Sequence, residues 1–196
     1  MQDSSDAELM LRFQRGDSAA FEQLFQRHKQ VLFRFLVRLS SSTPTAEEVS
    51  QQTWLKVIDV ARQGRYRKHE GVAFRTWLCT LARNHFLDEF KRKFAVARTQ
   101  SLPDNMHETL TQERDPVLDP AVLVDRDVRA QHLRRALLTL PFEQREVIAL
   151  WAAGVEVEAI ARMVEAPRDT ILSRKKYAIS KLRQALAELD SEEHRA

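Results

Sequence analysis

The longest regular pattern in this sequence is a run of apolar residues at helical spacing. Steps of three, four and seven residues separate its members, which are Phe21, Leu24, Phe25, Val31, Leu32, Phe35 and Leu36. Such steps put the side chains on one face of an α-helix. The 196 residues include only 4 Gly and 6 Pro, which is too few turn residues for a strand-rich fold. The pattern and the scarcity of turns together predict an all-α chain.

Charge is distributed in blocks rather than evenly. Residues 62–98 contain ten Lys or Arg against three Asp or Glu, residues 99–127 contain two against seven, and residues 168–183 contain six against one. Clusters of cations attract polyanions such as nucleic acids. The blocks therefore predict two polyanion-binding surfaces separated by an acidic segment.

The acidic segment has the composition of a linker. It contains Pro103, Pro116 and Pro120 and shows no sustained apolar period, so it has no face to bury in a core. We therefore predict two small helical domains, at residues 1–95 and 121–196, joined by a flexible acidic linker at residues 96–120.

The C-terminal domain has the outline of a helix-turn-helix, with a short helix at residues 155–164, a turn, and a long helix from Arg168 to about residue 189. On a helical wheel its apolar side holds Ile171, Ala178, Ile179, Leu182, Ala185, Leu186 and Leu189. The opposite side holds Asp169, Ser173, Lys176, Tyr177 and Ser180. Such side chains reach phosphates and base edges, but they also suit an ordinary solvated face. The outline alone leaves both interpretations open.

Longer segments resemble one known family in their order and spacing. These segments are TAEEVSQQTWLKV at residues 45–57, FRTWLCTLARN at residues 74–84, LPFEQREVI at residues 140–148, EAIA at residues 158–161 and TILSR at residues 170–174. They resemble the corresponding motifs of bacterial RNA polymerase sigma factors of the extracytoplasmic-function (ECF) class, in the sigma-70 family. The resemblance implies a non-enzymatic protein that binds core RNA polymerase and directs promoter recognition, strand opening and transcription initiation.

The resemblance also implies three sets of binding residues. The helix that docks on the polymerase would present Glu47, Glu48, Gln51, Gln52 and Lys56. The downstream promoter element would be bound by Arg65, Tyr66, Arg67, Lys68, Arg83, Asn84, Lys91 and Arg92. The upstream element would be bound by Arg168, Thr170, Ser173, Arg174, Lys176 and Tyr177.

Local chemistry adds expectations for individual residues. Tyr66 has charged neighbours and is expected to be open enough to stack on an unpaired base, whereas Phe74, Trp77 and Cys79 are expected in the core. Thr45 should start the docking helix through a capping box with Glu48.

The last helix departs from the family pattern at three positions. Leu172 stands where the family usually has a basic residue, and Tyr177 stands where it often has another. Lys175 lies on the apolar side, where the family usually has Leu, so its stem should pack while its ammonium reaches the rim.

The expected partners are core RNA polymerase, promoter DNA and an anti-sigma factor, for which a membrane-anchored form is one alternative. The first residues are polar and acidic, unlike a signal peptide, and no apolar run approaches the length of a membrane span. A cytoplasmic protein without membrane insertion is therefore expected. No cofactor, metal or catalytic residue is expected.

Two other classes of protein share part of these features. A stand-alone DNA-binding regulator would contain the helix-turn-helix but would not need the N-terminal motifs. A metal-dependent nuclease could use His85, Asp88 and Glu89, which share one helix at spacings that can hold a metal. A third ligand group is missing near them, which favours solvated or core roles for these residues.

Overall fold

The computed structural model describes residues 4–67, 72–98 and 126–193, and within these ranges it leaves out the side chains of residues 93–98, 126–130 and 188–193. The regular secondary structure of the described residues is entirely α-helical, with no strand, which confirms the all-α prediction. Their helices are α1 (Asp6–Gln14), α2 (Ser18–Ser40), α3 (Thr43–Arg62), α4 (Phe74–Arg98), α5 (Arg126–Leu138), α6 (Phe142–Ala152), α7 (Val157–Met163) and α8 (Arg168–Glu193). They form two compact units, one containing α1–α4 and one containing α5–α8. The predicted linker at residues 96–120 lies largely outside the described residues, and the predicted domain boundaries stay predictions.

The N-terminal unit is a helical bundle in which α2 packs against α1, α3 and α4. Its core is filled by side chains that recur at helical spacing, as the sequence pattern predicts. The fully buried members include Leu9, Leu24, Leu32, Phe35, Leu36, Leu39, Val57, Leu78 and Cys79. Phe74 is also buried and Trp77 half-buried, so both belong to the core region as expected.

Side-chain caps determine where the first three helices begin. Ser5 and Glu8 form a reciprocal capping box at α1, and the Asp17 carboxylate accepts a hydrogen bond from the Ala20 amide at the start of α2. The expectation for Thr45 is wrong. The N-cap of α3 is Ser42, whose hydroxyl accepts a hydrogen bond from the Thr45 amide, because Pro44 fits the first helical turn and lets the helix begin earlier.

A buried histidine joins α1 to α2. His28 is buried, and its Nε2 lies 2.7 Å from a carboxylate oxygen of Asp6. The other oxygen of Asp6 accepts a hydrogen bond from Arg27, at 3.0 Å. The His28 ring also packs against Phe74, with ring centroids 5.1 Å apart. One carboxylate therefore contacts two side chains of the neighbouring helix.

The C-terminal unit is built around α8, which packs against α5, α6 and α7. One cluster of its core joins α5, α6 and α8 through Leu137, Leu140, Ile148 and Ala178. The turn between α7 and α8 contains Glu165 with φ of 53°, a left-handed conformation that is strained for a residue with a Cβ atom. This turn places α7 and α8 in the helix-turn-helix order that the sequence predicts.

Candidate nucleic-acid interface

The long helix α8 presents two chemically distinct sides. Ile171 and Ala178 are buried, and Ile179, Leu182, Ala185 and Leu186 are half-buried. Asp169, Ser173, Lys176, Tyr177 and Ser180 are all exposed, and Tyr177 is 63% exposed. This division confirms the helical wheel for every residue whose side chain is described.

The upstream candidates do not form one uniform surface. Ser173, Lys176 and Tyr177 lie together on the exposed side, whereas Thr170 and Arg174 are half-buried on its flank. Arg168, at the first position of α8, is exposed but engaged, because its Nε donates to a carboxylate oxygen of Glu158 on α7 at 2.9 Å. That hydrogen bond is the main cause that lowers the pKa of Glu158. The side chains of Ser173, Lys176 and Tyr177 are therefore available to bind another molecule, whereas Arg168 is already paired with Glu158.

Lys175 has a specific place in the structure. Its Nζ lies 3.8 Å from the centroid of the Trp151 ring on α6, a distance that gives a cation–π interaction. The residue is half-buried, as expected for a stem that packs while the ammonium reaches the rim. Trp151 provides the partner, and the sequence pattern does not predict this contact.

The segment that follows α3 differs from the expectation at its aromatic residue. Tyr66 is only 5% exposed, because its ring packs edge-on against Phe74 and Trp77, with centroids 6.3 and 5.3 Å away. The expectation that Tyr66 is open is therefore wrong. Burial is also the main cause that raises the pKa of its phenol. In this structure the Tyr66 ring anchors the segment after α3 to α4 and has no face free for stacking on a base.

The flanking arginines are exposed and tied to nearby oxygens. Arg65 approaches the Asp59 carboxylate at 3.5 Å, and Arg67 donates to the backbone carbonyls of Gly64 and Tyr66. Lys68, the remaining candidate of this segment, lies outside the described residues.

Helix α4 brings only some of its candidates together. Asn84 and Lys91 are exposed and seven residues apart, which places them on one face. Arg83 is half-buried on one flank of that face, and Arg92 lies on the other, where its guanidinium is 2.7 Å from the Glu89 carboxylate. The described residues contain no group of three His, Cys, Asp or Glu side chains that could hold a metal, including around His85.

The predicted docking face of α3 is exposed along its length. Glu47, Glu48, Gln51 and Gln52 are exposed, and Lys56 is half-buried beside Asp59, with Nζ 3.4 Å from the carboxylate. At the centre of this face lies Leu55, an apolar residue that is 52% exposed. Leu55 is not among the residues predicted for this face, although its position midway between polar neighbours on the helical wheel indicates exposure.

Within the described residues, no helix is both long and apolar enough to cross a membrane.

Comparison with known proteins shows which family this chain resembles in sequence. Residues 24–94, from α2 to α4, match the family described as Sigma-70 region 2. The ECF RNA polymerase sigma factor SigM of Mycobacterium tuberculosis is 33% identical over 189 residues, which is 95% of this chain and 87% of SigM. The RNA polymerase sigma factor CarQ of Myxococcus xanthus is 31% identical over 184 residues, which is 93% of this chain and 98% of CarQ.

A solved structure extends the similarity to the fold. The sigma factor RpoE of Bartonella quintana, in complex with the anti-sigma factor NepR, superposes with a TM-score of 0.64 at 27% identity, covering 85% of this chain and 96% of RpoE. Three observations therefore indicate the same family: the all-helical fold, the helix-turn-helix, and relatives above 30% identity over nearly the whole length. The chain belongs to the ECF family of RNA polymerase sigma factors.

Proposed function

We propose that the two units of this sigma factor bind different partners during transcription initiation. The N-terminal unit binds core RNA polymerase through α3 and the opened downstream element through α4 and the preceding loop. The C-terminal unit recognises the upstream element through α8. The observation that carries the proposal is the sidedness of α8, whose exposed face holds Ser173, Lys176 and Tyr177 opposite a buried apolar face. A helix of this kind fits the major groove with one side in the core and one on base edges.

Family membership decides among the three classes that the sequence left open. A stand-alone regulator does not account for the match of residues 24–94 to Sigma-70 region 2. A nuclease is not needed, because sigma factors act on transcription initiation without catalysing a reaction themselves. Promoter-directed initiation is therefore the activity to test.

The direct test is run-off transcription with purified core polymerase on genomic promoters, followed by mapping of start sites. We expect transcripts only when the chain is added, with one shared motif pair upstream of the start sites. Binding to DNA without any stimulation of core polymerase would contradict the proposal and favour a stand-alone regulator.

Two substitutions separate base reading from phosphate contact on α8. If Lys176 reads a base, Lys176→Ala should cost about 1–3 kcal/mol on the preferred promoter and relax preference at one position. If Arg174 holds a phosphate, Arg174→Ala should weaken all sequences alike and lower the salt slope by about one. Leu172→Arg should gain affinity or shift preference, because it adds a cation at the edge of the same face. Identical motifs selected from a random library by all four proteins would contradict promoter reading by α8.

Polymerase docking is tested on α3. Reversal of the charge at Glu48 together with Gln51→Ala should weaken holoenzyme formation without lowering the free energy of unfolding, since both side chains are exposed. Unchanged affinity for core polymerase in this double variant would assign docking to another surface.

Control by an anti-sigma factor and a cytoplasmic location complete the proposal. The solved complex of the similar RpoE with an anti-sigma factor supports the first, and the family's role in transcription supports the second. Co-purification from the native host, with the chain as bait, should recover such a regulator when the inducing signal is absent. Recovery of core polymerase alone under both conditions would contradict anti-sigma control.

A further inference from the structure

One side of α2 carries three arginines and no acidic residue. The sequence contains no Asp or Glu between Glu22 and Glu47. Within this stretch Arg27, Arg34 and Arg38 are seven and four residues apart, which places them within about 40° of one another around the helix. They form a stripe about 16 Å long at the helical rise per residue. We call these three side chains the α2 stripe.

The stripe is neutralised at one end only. Arg27 pairs with the carboxylate of Asp6 at 3.0 Å and donates to the carbonyl of Ser4. Arg34 and Arg38 make no ion pair or hydrogen bond within the part of the chain that the structure describes. Burial, and then the charge of Arg34, lower the pKa of Arg38.

The two guanidinium groups are four residues apart on the helix and repel each other, and the half-buried Arg38 also loses hydration without a hydrogen bond to replace it among the described residues. An anion bound between them would relieve both costs. Guanidinium groups match phosphate in particular, because their fork of N–H donors can engage two oxygens at once.

The neutralised end of the stripe adjoins the segment proposed to bind opened DNA. His28, next to Arg27, packs against Phe74, and Phe74 packs against Tyr66 at 6.3 Å between centroids. Asp6, the partner of Arg27, is close enough to Tyr66 to contribute to raising the pKa of its phenol. A strand that leaves Arg65 and Arg67 could therefore continue along α2 towards Arg34 and Arg38.

We propose that Arg34 and Arg38 bind successive backbone phosphates of the single-stranded promoter segment in the open complex. The proposal rests on the promoter-opening function proposed above and names two further residues for it. It predicts a contact that carries no base preference, because phosphates are the same in every sequence.

The test measures binding of holoenzyme to fluorescently labelled forked promoter DNA across a range of KCl concentrations. Arg34→Gln and Arg38→Gln should each lower the salt slope by about 0.7, the value for one phosphate on a single strand, and the double variant by about 1.4. Lys29→Gln is the matched control, because Lys29 is an exposed cation on the opposite side of the same helix. It should leave the slope unchanged.

Folding is monitored in the same variants. Relief of the repulsion should leave the unfolding midpoint of Arg38→Gln equal to wild type or higher, while DNA binding weakens. A lower midpoint with an unchanged salt slope would show a packing role and overturn the proposal. If the variants lost affinity for core polymerase before DNA is added, the α2 stripe would be a polymerase contact. That result would also overturn the proposal.

The result is separable from the proposed function. If wild type supports run-off transcription while both arginine variants bind and open promoters with the wild-type salt slope, the stripe assignment fails and the sigma activity stands. Failure of wild type itself to direct core polymerase would contradict the proposed function.

Discussion

The ammonium of Lys175 lies 3.8 Å from the ring centroid of Trp151 and so connects the long helix α8 to α6. Exposed cation–π pairs contribute about 0.5–1 kcal/mol. A double-mutant cycle with Lys175→Met and Trp151→Leu in urea unfolding should therefore give a coupling of about that size. Lys175→Met should also change the fluorescence of Trp151, which can be isolated by replacing the other two tryptophans with Phe. A coupling of zero would mean that the contact adds nothing in solution.

Replacement of Tyr66 should affect stability before it affects DNA binding. The ring is buried against Phe74 and Trp77, so Tyr66→Ala should lower the free energy of unfolding by about 3 kcal/mol. Tyr66→Phe keeps the packing and should open promoters like wild type in permanganate footprinting. A fully stable Tyr66→Ala variant with a specific opening defect would instead favour stacking on a base.

Leu55 should be a strong contributor to polymerase binding. Apolar side chains surrounded by a polar rim are frequent centres of interfaces, and Leu55 is 52% exposed on the α3 face. We expect Leu55→Asp to lower affinity for core polymerase at least tenfold, which is about 1.4 kcal/mol, with unfolding changed by less than about 0.5 kcal/mol. Leu55→Met should bind like wild type. Equal affinities for the Asp and Met variants would remove Leu55 from the interface.

The buried His28 makes stability depend on pH. Burial is the main cause that lowers its pKa, with Arg75 and Arg27 acting in the same direction against the opposing effect of Asp6. The folded protein therefore holds a neutral imidazole at pH values where the unfolded chain, with a pKa near about 6.5, binds a proton. The free energy of unfolding should then fall as pH drops below about 6.5, by at most about 1.4 kcal/mol per pH unit from this group.

Urea unfolding between pH 5 and 8 checks this dependence. His28→Gln should be less stable at pH 8, because it loses packing against Phe74, but its stability should fall less steeply towards pH 5. A slope equal to that of wild type would assign the pH dependence to other groups.

The turn of the helix-turn-helix can be stabilised at one position. Glu165 has φ of 53°, a conformation that Gly adopts without strain. Glu165→Gly should therefore raise the free energy of unfolding by about 0.5–1 kcal/mol, whereas Glu165→Ala keeps the Cβ atom and should show no such gain. Calorimetry of the three proteins would measure the difference, and a lower midpoint for the Gly variant would contradict it.

What the sequence can predict here depends on whether the deciding contacts are local. The sides of α8 follow from helical periodicity, so Ile171 and Ala178 are buried and Lys176 and Tyr177 exposed, as predicted. The burial of Tyr66 differs from the sequence prediction because its neighbours in sequence are charged, whereas its neighbours in space are Phe74 and Trp77. Such a tertiary environment leaves no local signature.

Helix starts and side-chain pairs also show this difference between local contacts, which the sequence predicts, and contacts that it does not. Glu48, three residues after Thr45, predicts a cap at Thr45, but Pro44 favours the first helical turn and the N-cap is Ser42. The sequence could place Lys175 at the rim of the apolar side, but not beside Trp151, because that contact depends on how α6 and α8 pack.

The buried thiol has a practical consequence. Cys79 is the only cysteine of the chain, it is fully buried, and desolvation raises its pKa to about 12. An exposed thiolate is the nucleophile that attacks a thiol-reactive dye, so the native residue should stay unlabelled while the protein is folded. Single cysteines introduced at exposed sites, such as Ser180 in α8 and Gln26 in α2, can then carry a donor and acceptor pair in an otherwise unaltered background. Energy transfer between these dyes would report changes in the separation of the two units as the sigma factor engages polymerase, promoter and any inhibitor.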